Sequence, residues 1–160
     1  MKRLRKLVTF SLDDRKFALY VSVVQRIVRV VEVTALPKGP EIVVGIINLQ
    51  GQVIPVFDIR MRFQLPAREV QLNDQMIIAS TTKRTVALLV DSVDDVIEIP
   101  GERIIAVEQI LPELEYVEGV VKMEGGMALI HDIEKFLSLH EEKALDEAME
   151  ALNCNERKAG

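Results

Sequence analysis

The chain has 160 residues, of which 49% are hydrophobic and 28% charged, with a net charge of −5 and a single cysteine, Cys154. That length suits one domain or two small subdomains sharing a core. The acidic balance excludes the clustered basic face of a nucleic-acid binder, and one cysteine excludes an internal disulfide and a cysteine-rich metal site, which fits a reducing cytoplasm. No apolar run reaches the length of a membrane span, and the first residues lack the apolar stretch of a signal peptide.

Aromatic residues make up 4% of the chain and Trp is absent, so the core must be built from Val, Ile and Leu, which favour strands. The basic run Lys2, Arg3, Arg5, Lys6 reads as a solvated, frayed terminus. Leu7 to Leu12 alternates as a strand, Asp13-Asp14-Arg15 turns, and Lys16 to Val21 returns. Ile27 to Val33 is a further strand, and Leu36 to Pro40 a loop broken by Pro and Gly. Gly45 to Leu49 and Gln52 to Phe57 flank Gly51, and Pro55 argues for an edge or bulge in the second. Asp58 caps a short helix over 59–63.

Residues 64–74 are polar and contain proline, a candidate boundary. Met76 to Ser80 and Thr85 to Val90 form a hairpin, and Val96 to Ile99 a strand ended by Pro100-Gly101. Val117 to Met123 and Met127 to Ile130 pair around Glu124-Gly125-Gly126. Asp132 caps a helix reaching Leu139, and Glu141 to Leu152 is helical, with Leu145, Met149 and Leu152 on one face.

The most informative feature is an internal duplication. Phe17 to Val30 aligns with Val86 to Ile99 at an offset of 69, matching Ala18 with Ala87, Leu19 with Leu88, Val21 with Val90 and Val24 with Val93. Gly45 to Ile59 aligns with Gly119 to Ile133 at an offset of 74, matching Gly45, Gly51, Asp58 and Ile59 with Gly119, Gly125, Asp132 and Ile133. The second copy carries its five extra residues in a connecting loop, where insertions are tolerated. The matched glycines are expected at hairpin turns, where a positive φ is useful. Units of this size are marginal alone, so two packed together bury a larger core, with a groove between them for a partner.

These blocks resemble the CheW-like domain family over about residues 7–139. The resemblance rests on Phe17-Ala18-Leu19, Val24-Gln25-Arg26-Ile27, the loop Pro37 to Pro40, Val43-Val44-Gly45, Asn48-Leu49-Gln50-Gly51, Val53-Ile54-Pro55-Val56 and Asp58-Ile59-Arg60. It implies a mostly β fold of two SH3-like β-barrel subdomains, about 7–66 and 75–139, with short helices and a C-terminal helix and tail over 140–160. It also implies a non-catalytic adaptor in the cytoplasm, recruited to membrane-associated receptor arrays. Its partners would be the regulatory domain of a CheA-type histidine kinase and the cytoplasmic tip of methyl-accepting chemoreceptors, a long helical hairpin.

The groove reading assigns receptor binding to Val24, Arg26, Ile27, Gly45, Gln50 and Val93, while the family match and the duplication assign kinase binding to hairpin surfaces of the subdomains carrying Val43, Val44 and Met76. Two positions depart from the family pattern: Arg26 stands where Glu is usual, and Gln50 where Arg is usual. That change reads as a compensated swap, as tuning to another receptor set or a parallel non-motility pathway, or as loss of receptor binding.

No catalytic constellation accompanies the motifs, and no cofactor, metal, nucleic acid or membrane insertion is implied. His131 stands where Phe57 stands in the first copy, which favours packing over catalysis, and His140 begins the solvated tail. Two histidines and a distant Cys make no zinc spacing. Gly125-Gly126 is a turn rather than a phosphate loop. Asp13-Asp14 and Asp94-Asp95 are adjacent and point to opposite faces. Ser22 and Ser92 lie near no recognisable base. Met76, Met123 and Met127 read first as core filler, since a thioether fills irregular gaps.

Overall fold

The computed structural model describes residues 3–106, 116–123 and 126–159. Along these residues run β1 (Leu4–Leu12), β2 (Arg15–Tyr20), β3 (Val24–Arg29), β4 (Val43–Leu49), β5 (Gln52–Phe57), β6 (Gln75–Ser80), β7 (Thr85–Val90), β8 (Ser92–Pro100), β9 (Ile104–Ala106), β10 (Val117–Met123), β11 (Gly126–His131) and α1 (Leu139–Ala159). The strands form a six-stranded sheet ordered β8-β1-β2-β11-β10-β9 and a five-stranded sheet ordered β3-β6-β7-β5-β4.

Neither sheet is contiguous in sequence. The first hairpin, β1–β2, pairs with β8 and β11 of the second copy, while the second hairpin, β6–β7, pairs with β3 and β5 of the first. The expected division into 7–66 and 75–139 therefore does not separate the sheets: each copy lends its hairpin to the other. The exchange follows the duplication closely. The parallel pair β2–β11 matches β7–β5, and β1–β8 matches β6–β3. Even the β9–β10 pair has a counterpart, the bridge Thr34–Ile46 beside β4.

Three apolar clusters follow from this arrangement. Ile47, Ile54, Val56, Met76, Ile78, Ala87 and Leu89 fill the five-stranded unit. Leu7, Ala18, Ile99, Val121, Ala128 and Ile130 fill the six-stranded one, with Leu7 at the position equivalent to Met76. Between the sheets lies the largest cluster, holding Phe10, Phe17, Phe57 and Phe136 together with Ile77, Leu88 and Val90. The exchanged hairpins are thus covered on both faces, which explains continuous apolar runs such as Val86–Val90 in place of alternation.

The turn of each hairpin is also held by its own copy. Arg60 donates to Asp13 at the β1–β2 turn (2.9 Å), and Glu134, at the equivalent position, accepts from the Thr82 backbone N–H (2.8 Å) and hydroxyl (2.9 Å) at the β6–β7 turn. Asp58 and Asp132 make the same local cap, accepting from Arg60 N (3.1 Å) and Glu134 N (3.0 Å).

Several local expectations change. The basic start is not frayed from Leu4 onward: Leu4, Arg5 and Lys6 pair with Pro100, Ile99 and Glu98, and Lys6 lies 3.4 Å from Glu98. Strand β3 begins at Val24, ahead of the expected Ile27, and β8 at Ser92, ahead of Val96, because both edges are claimed by the partner copy's hairpin. Pro55 lies in an interior strand, but the ladder to β7 starts at Val56, so its missing N–H costs no bond there. Asp58 caps a 3-10 turn over Ile59–Met61, shorter than the helix expected over 59–63. Asp132 initiates a turn rather than a helix, since Phe136 is drawn into the shared core.

The helix begins instead after Ser138. Ser138 Oγ accepts from Glu141 N (3.1 Å), and Glu141 accepts from Ser138 N (2.9 Å), a reciprocal capping box. Arg62 donates to the same Glu141 carboxylate. Helix α1 docks through Leu145 and Met149 on the shared core, while Leu152 is half-buried. The turn expected at 124–126 falls partly outside the described residues.

Gly45 and Gly119 are not at turns. They follow register shifts in β4 and β10, where a neighbouring backbone passes close. A Cβ on Gly45 would lie 2.3 Å from Thr34 O, whereas one on Gly119 would lie 3.1 Å from Ile105 O. Gly45→Ala should therefore lower the unfolding free energy by about 3 kcal/mol, and Gly119→Ala by clearly less. Urea denaturation of the two variants checks this ordering; equal losses would contradict it.

Candidate partner-binding seam

Strands β3 and β8 occupy equivalent positions in the duplication, and each ends its sheet. Val24 and Ile27 pair with Ala79 and Ile77, whose side chains lie in the shared core, and Val93 pairs with Phe10 of the same core. Val24 and Val93 both pack against that core from outside. Next along each strand, Ile27 and Val96 are left 38% and 57% exposed. The two edges are tied together: Gln75 pairs with Arg29 of β3 and accepts from the Val93 backbone N–H of β8 at 2.7 Å. The result is an apolar seam where the two sheets meet, with one strip from each copy.

Equivalent polar contacts fasten the start of each strand. Ser11 donates to Asp94 (2.5 Å) beside β8, and Gln25 donates to Ser80 beside β3. Lys16 holds Asp94 at 2.8 Å, where the other copy has Gln25 near Thr85. Burial works against the charge on Asp94, but Lys16, Ser11 and Ser92 hold its carboxyl below the ordinary range.

Of the residues assigned to receptor binding, Val24, Ile27 and Val93 come together at the seam. Arg26 is exposed on β3 and makes no side-chain hydrogen bond or ion pair among the described residues. Gly45 is buried against Thr34 rather than exposed, and Gln50 is an exposed turn residue with φ +53° between β4 and β5, at the far end of the strand order from β3. Of the proposed kinase contacts, Val43 and Val44 are half-buried. Met76 is fully buried in the core of the five-stranded unit and lines no surface, because β6 runs between β3 and β7 with Met76 and Ile78 turned inward. Val96 and Asp95 were not among the assigned residues; the offset of 69 maps them onto Ile27 and Arg26 and was the signal for them.

The remaining polar residues serve the fold. Asp91 gathers Arg60 (2.5 Å), Arg68 and the Asp13 backbone N–H (2.6 Å), and Arg68 also holds Asp74 (2.6 Å). Burial opposes the charge on Asp91, yet Arg60, the Asp13 N–H and Arg68 keep its carboxyl below the ordinary range. This network pins the polar 64–74 segment across the two sheets. His131 is buried between Phe63 and Phe136, and neither ring nitrogen has a hydrogen-bond partner among the described residues. Met127 is 63% exposed, so it is not core filler. Among the described residues no cluster of His, Cys, Asp and Glu has the arrangement of a metal site. No helix among the described residues is long and apolar enough to cross a membrane. A cavity of about 420 Å³, lined by Pro37, Lys38, Ala144, Ala148 and Leu152, lies beside α1 rather than at the seam.

Residues 6–141 match the CheW-like domain. The chemotaxis protein CheW of Rhizobium meliloti (strain 1021) is 30% identical over 142 residues, covering 88% of this chain and 92% of that protein. The CheW of Bacillus subtilis (strain 168) is 30% identical over 129 residues, covering 79% and 83%. The crystal structure of the scaffolding protein TtCheW from Thermoanaerobacter tengcongensis superposes with a TM-score of 0.78 at 30% identity, covering 88% of this chain and 92% of that one. The two sheets are thus two SH3-like subdomains.

Burial, reinforced by the nearby Arg62 charge, pushes the His131 pKa from 6.5 down to about 3. The folded chain refuses a proton that the unfolded chain accepts. Stability should therefore fall as the pH drops below 6.5, by about 1.4 kcal/mol per pH unit, until the folded-state value is reached. His131→Phe, which restores the residue of the first copy, should remove that component. Urea midpoints at pH 7 and pH 5 for both proteins check it; identical shifts would contradict it.

Proposed function

The chain belongs to the CheW-like domain family, and from that membership we propose that it is a non-catalytic coupling protein joining chemoreceptor tips to a CheA-type histidine kinase. The observation that carries the reading is the family match across both subdomains, together with an exposed apolar seam where they meet. A receptor tip is a helical hairpin, and a helix binds such a seam by laying an apolar stripe along it. Val24, Ile27 and Val93 would meet that stripe, and Arg26 would set charge at its border, where charge governs specificity and on-rate more than affinity. Gly45 and Gln50 would act indirectly, by shaping the β4–β5 hairpin.

The kinase's regulatory domain would bind the β4 side of the five-stranded unit near Val43 and Val44. No step of covalent chemistry is required of the protein: its work is to hold two partners in one geometry. The protein would act in the cytoplasm, gathered at receptor arrays by these contacts. The change from Glu to Arg at position 26 and from Arg to Gln at position 50 favours a receptor set of its own, in swimming chemotaxis or in a parallel pathway.

Val24→Asp places a charge against the shared core and should weaken receptor-tip binding by about 2 kcal/mol. Ile27→Asp, at a more exposed site, should act in the same direction. Calorimetric titration of a receptor cytoplasmic hairpin checks this, with circular dichroism confirming that each variant is folded. Folded variants that bind normally would remove the seam from the reading. Separately, the protein and the kinase regulatory domain should co-elute in gel filtration at about 10 μM; separate elution would argue against the kinase contact.

A further inference from the structure

The seam is built from two copies of one strand, yet its two sides differ in charge. Along β3 the sequence is Gln25-Arg26-Ile27-Val28-Arg29, and at the equivalent positions along β8 it is Asp94-Asp95-Val96-Ile97-Glu98. The apolar residues are retained, while every charged position in one strand is met by an acid in the other. Some of these charges are engaged: Asp94 is held by Lys16, and Glu98 lies 3.4 Å from Lys6. Arg26, Arg29 and Asp95 make no ion pair among the described residues, and Arg26 and Asp95 occupy the same place in the two copies. Both are exposed.

We propose that this opposition makes the seam directional: a helical hairpin docks in one orientation, with a carboxylate against the Arg26 side and a cation against the Asp95 side. The inference rests on the receptor reading given above and adds to it the identity of the groups the partner must present. Its physical basis is symmetry. An apolar seam with pseudo-twofold strips from Val24 and Ile27 on one side and Val93 and Val96 on the other accepts an apolar helix equally well in either direction. Backbone and apolar contacts alone cannot choose between the two. Opposite charges at equivalent positions can, because reversing the helix brings like charges together on both sides at once, and like-charge juxtaposition rejects a partner more strongly than complementarity attracts one.

The experiment uses the full chain and two probes. One is a receptor cytoplasmic hairpin encoded in the same genome, and the other is the same hairpin with the acidic and basic residues flanking its apolar stripe exchanged. Arg26→Asp combined with Asp95→Arg alters two exposed positions. The double variant should bind the native hairpin about tenfold more weakly at low salt and recover binding to the exchanged hairpin, with the difference shrinking as salt is raised. Binding of the double variant to the native hairpin within about twofold of the unaltered chain, while the folded Val24→Asp and Ile27→Asp variants weaken it, would overturn directionality and leave the receptor reading standing. If the folded Val24→Asp and Ile27→Asp variants bind the native hairpin as the unaltered chain does, the receptor reading fails and directionality fails with it.

Discussion

Each hairpin of the duplicated unit completes the sheet of the other unit, and the rest of the structure depends on that exchange. Strands β1, β2, β6 and β7 must satisfy three demands at once: a ladder with the partner copy, an apolar face inside one subdomain, and an apolar face against the shared core. Burial on both faces removes the polar alternation that a one-sided sheet would show. The turn of each hairpin is then anchored back to its own copy, through Arg60 to Asp13 in one and Glu134 to Thr82 in the other. One anchor is ionic and the other is a carboxylate taking backbone and hydroxyl hydrogens, so the same task is done by opposite charges at one position.

That substitution pattern recurs wherever the copies differ. Apolar core positions such as Leu7 and Met76 or Ala18 and Ala87 keep their polarity, because packing density penalises a change of chemistry, although buried His131 in the place of Phe57 departs from this. Exposed positions diverge, and Arg26 and Asp95 diverge to opposite signs. A duplicated protein can in this way keep a symmetric frame and still present an asymmetric surface. The seam joins both: its apolar strips are symmetric because they rest on the shared core, and its charges are free because they do not.

Much of the strand inventory was legible from the chain, since β-branched runs bounded by Gly, Pro and Asp have few other readings. The hairpins β1–β2, β4–β5, β6–β7 and β10–β11 all fall where the sequence places them. The exchange was not legible. Copies of equal polarity pair as well within a repeat as between repeats, so apolar pattern alone cannot choose between a contiguous unit and an exchanged one. Met76 shows that ambiguity: its reading as core filler holds and its assignment to the kinase contact does not, since it is buried on β6 between β3 and β7. Short elements set by tertiary contact were also hidden, as with the turn after Asp132, where Phe136 enters the shared core in place of a helical turn. Gly45 was legible as special, but for the wrong reason: the constraint is the passing Thr34 carbonyl and not a positive φ.

The exchange also orders events during synthesis. Strand β1 leaves the ribosome well before its partner β8, which lies far down the chain; Thr9 bonds to a carbonyl 86 residues later. Until β8 and β11 emerge, the first hairpin has a local partner strand but neither of its outer neighbours, and its two apolar faces have nothing to cover them. Pairings at such separations are slow, because the loop must close before its contacts repay the lost entropy. The nascent chain therefore passes through a period with exposed apolar strands, the state most open to capture by chaperones or to pairing with a second nascent chain. In a duplicated protein that second pairing is built to succeed: a hairpin that fits the other copy within its own chain fits the same copy in a neighbour equally well, and the fold carries within it the geometry of a domain-swapped dimer.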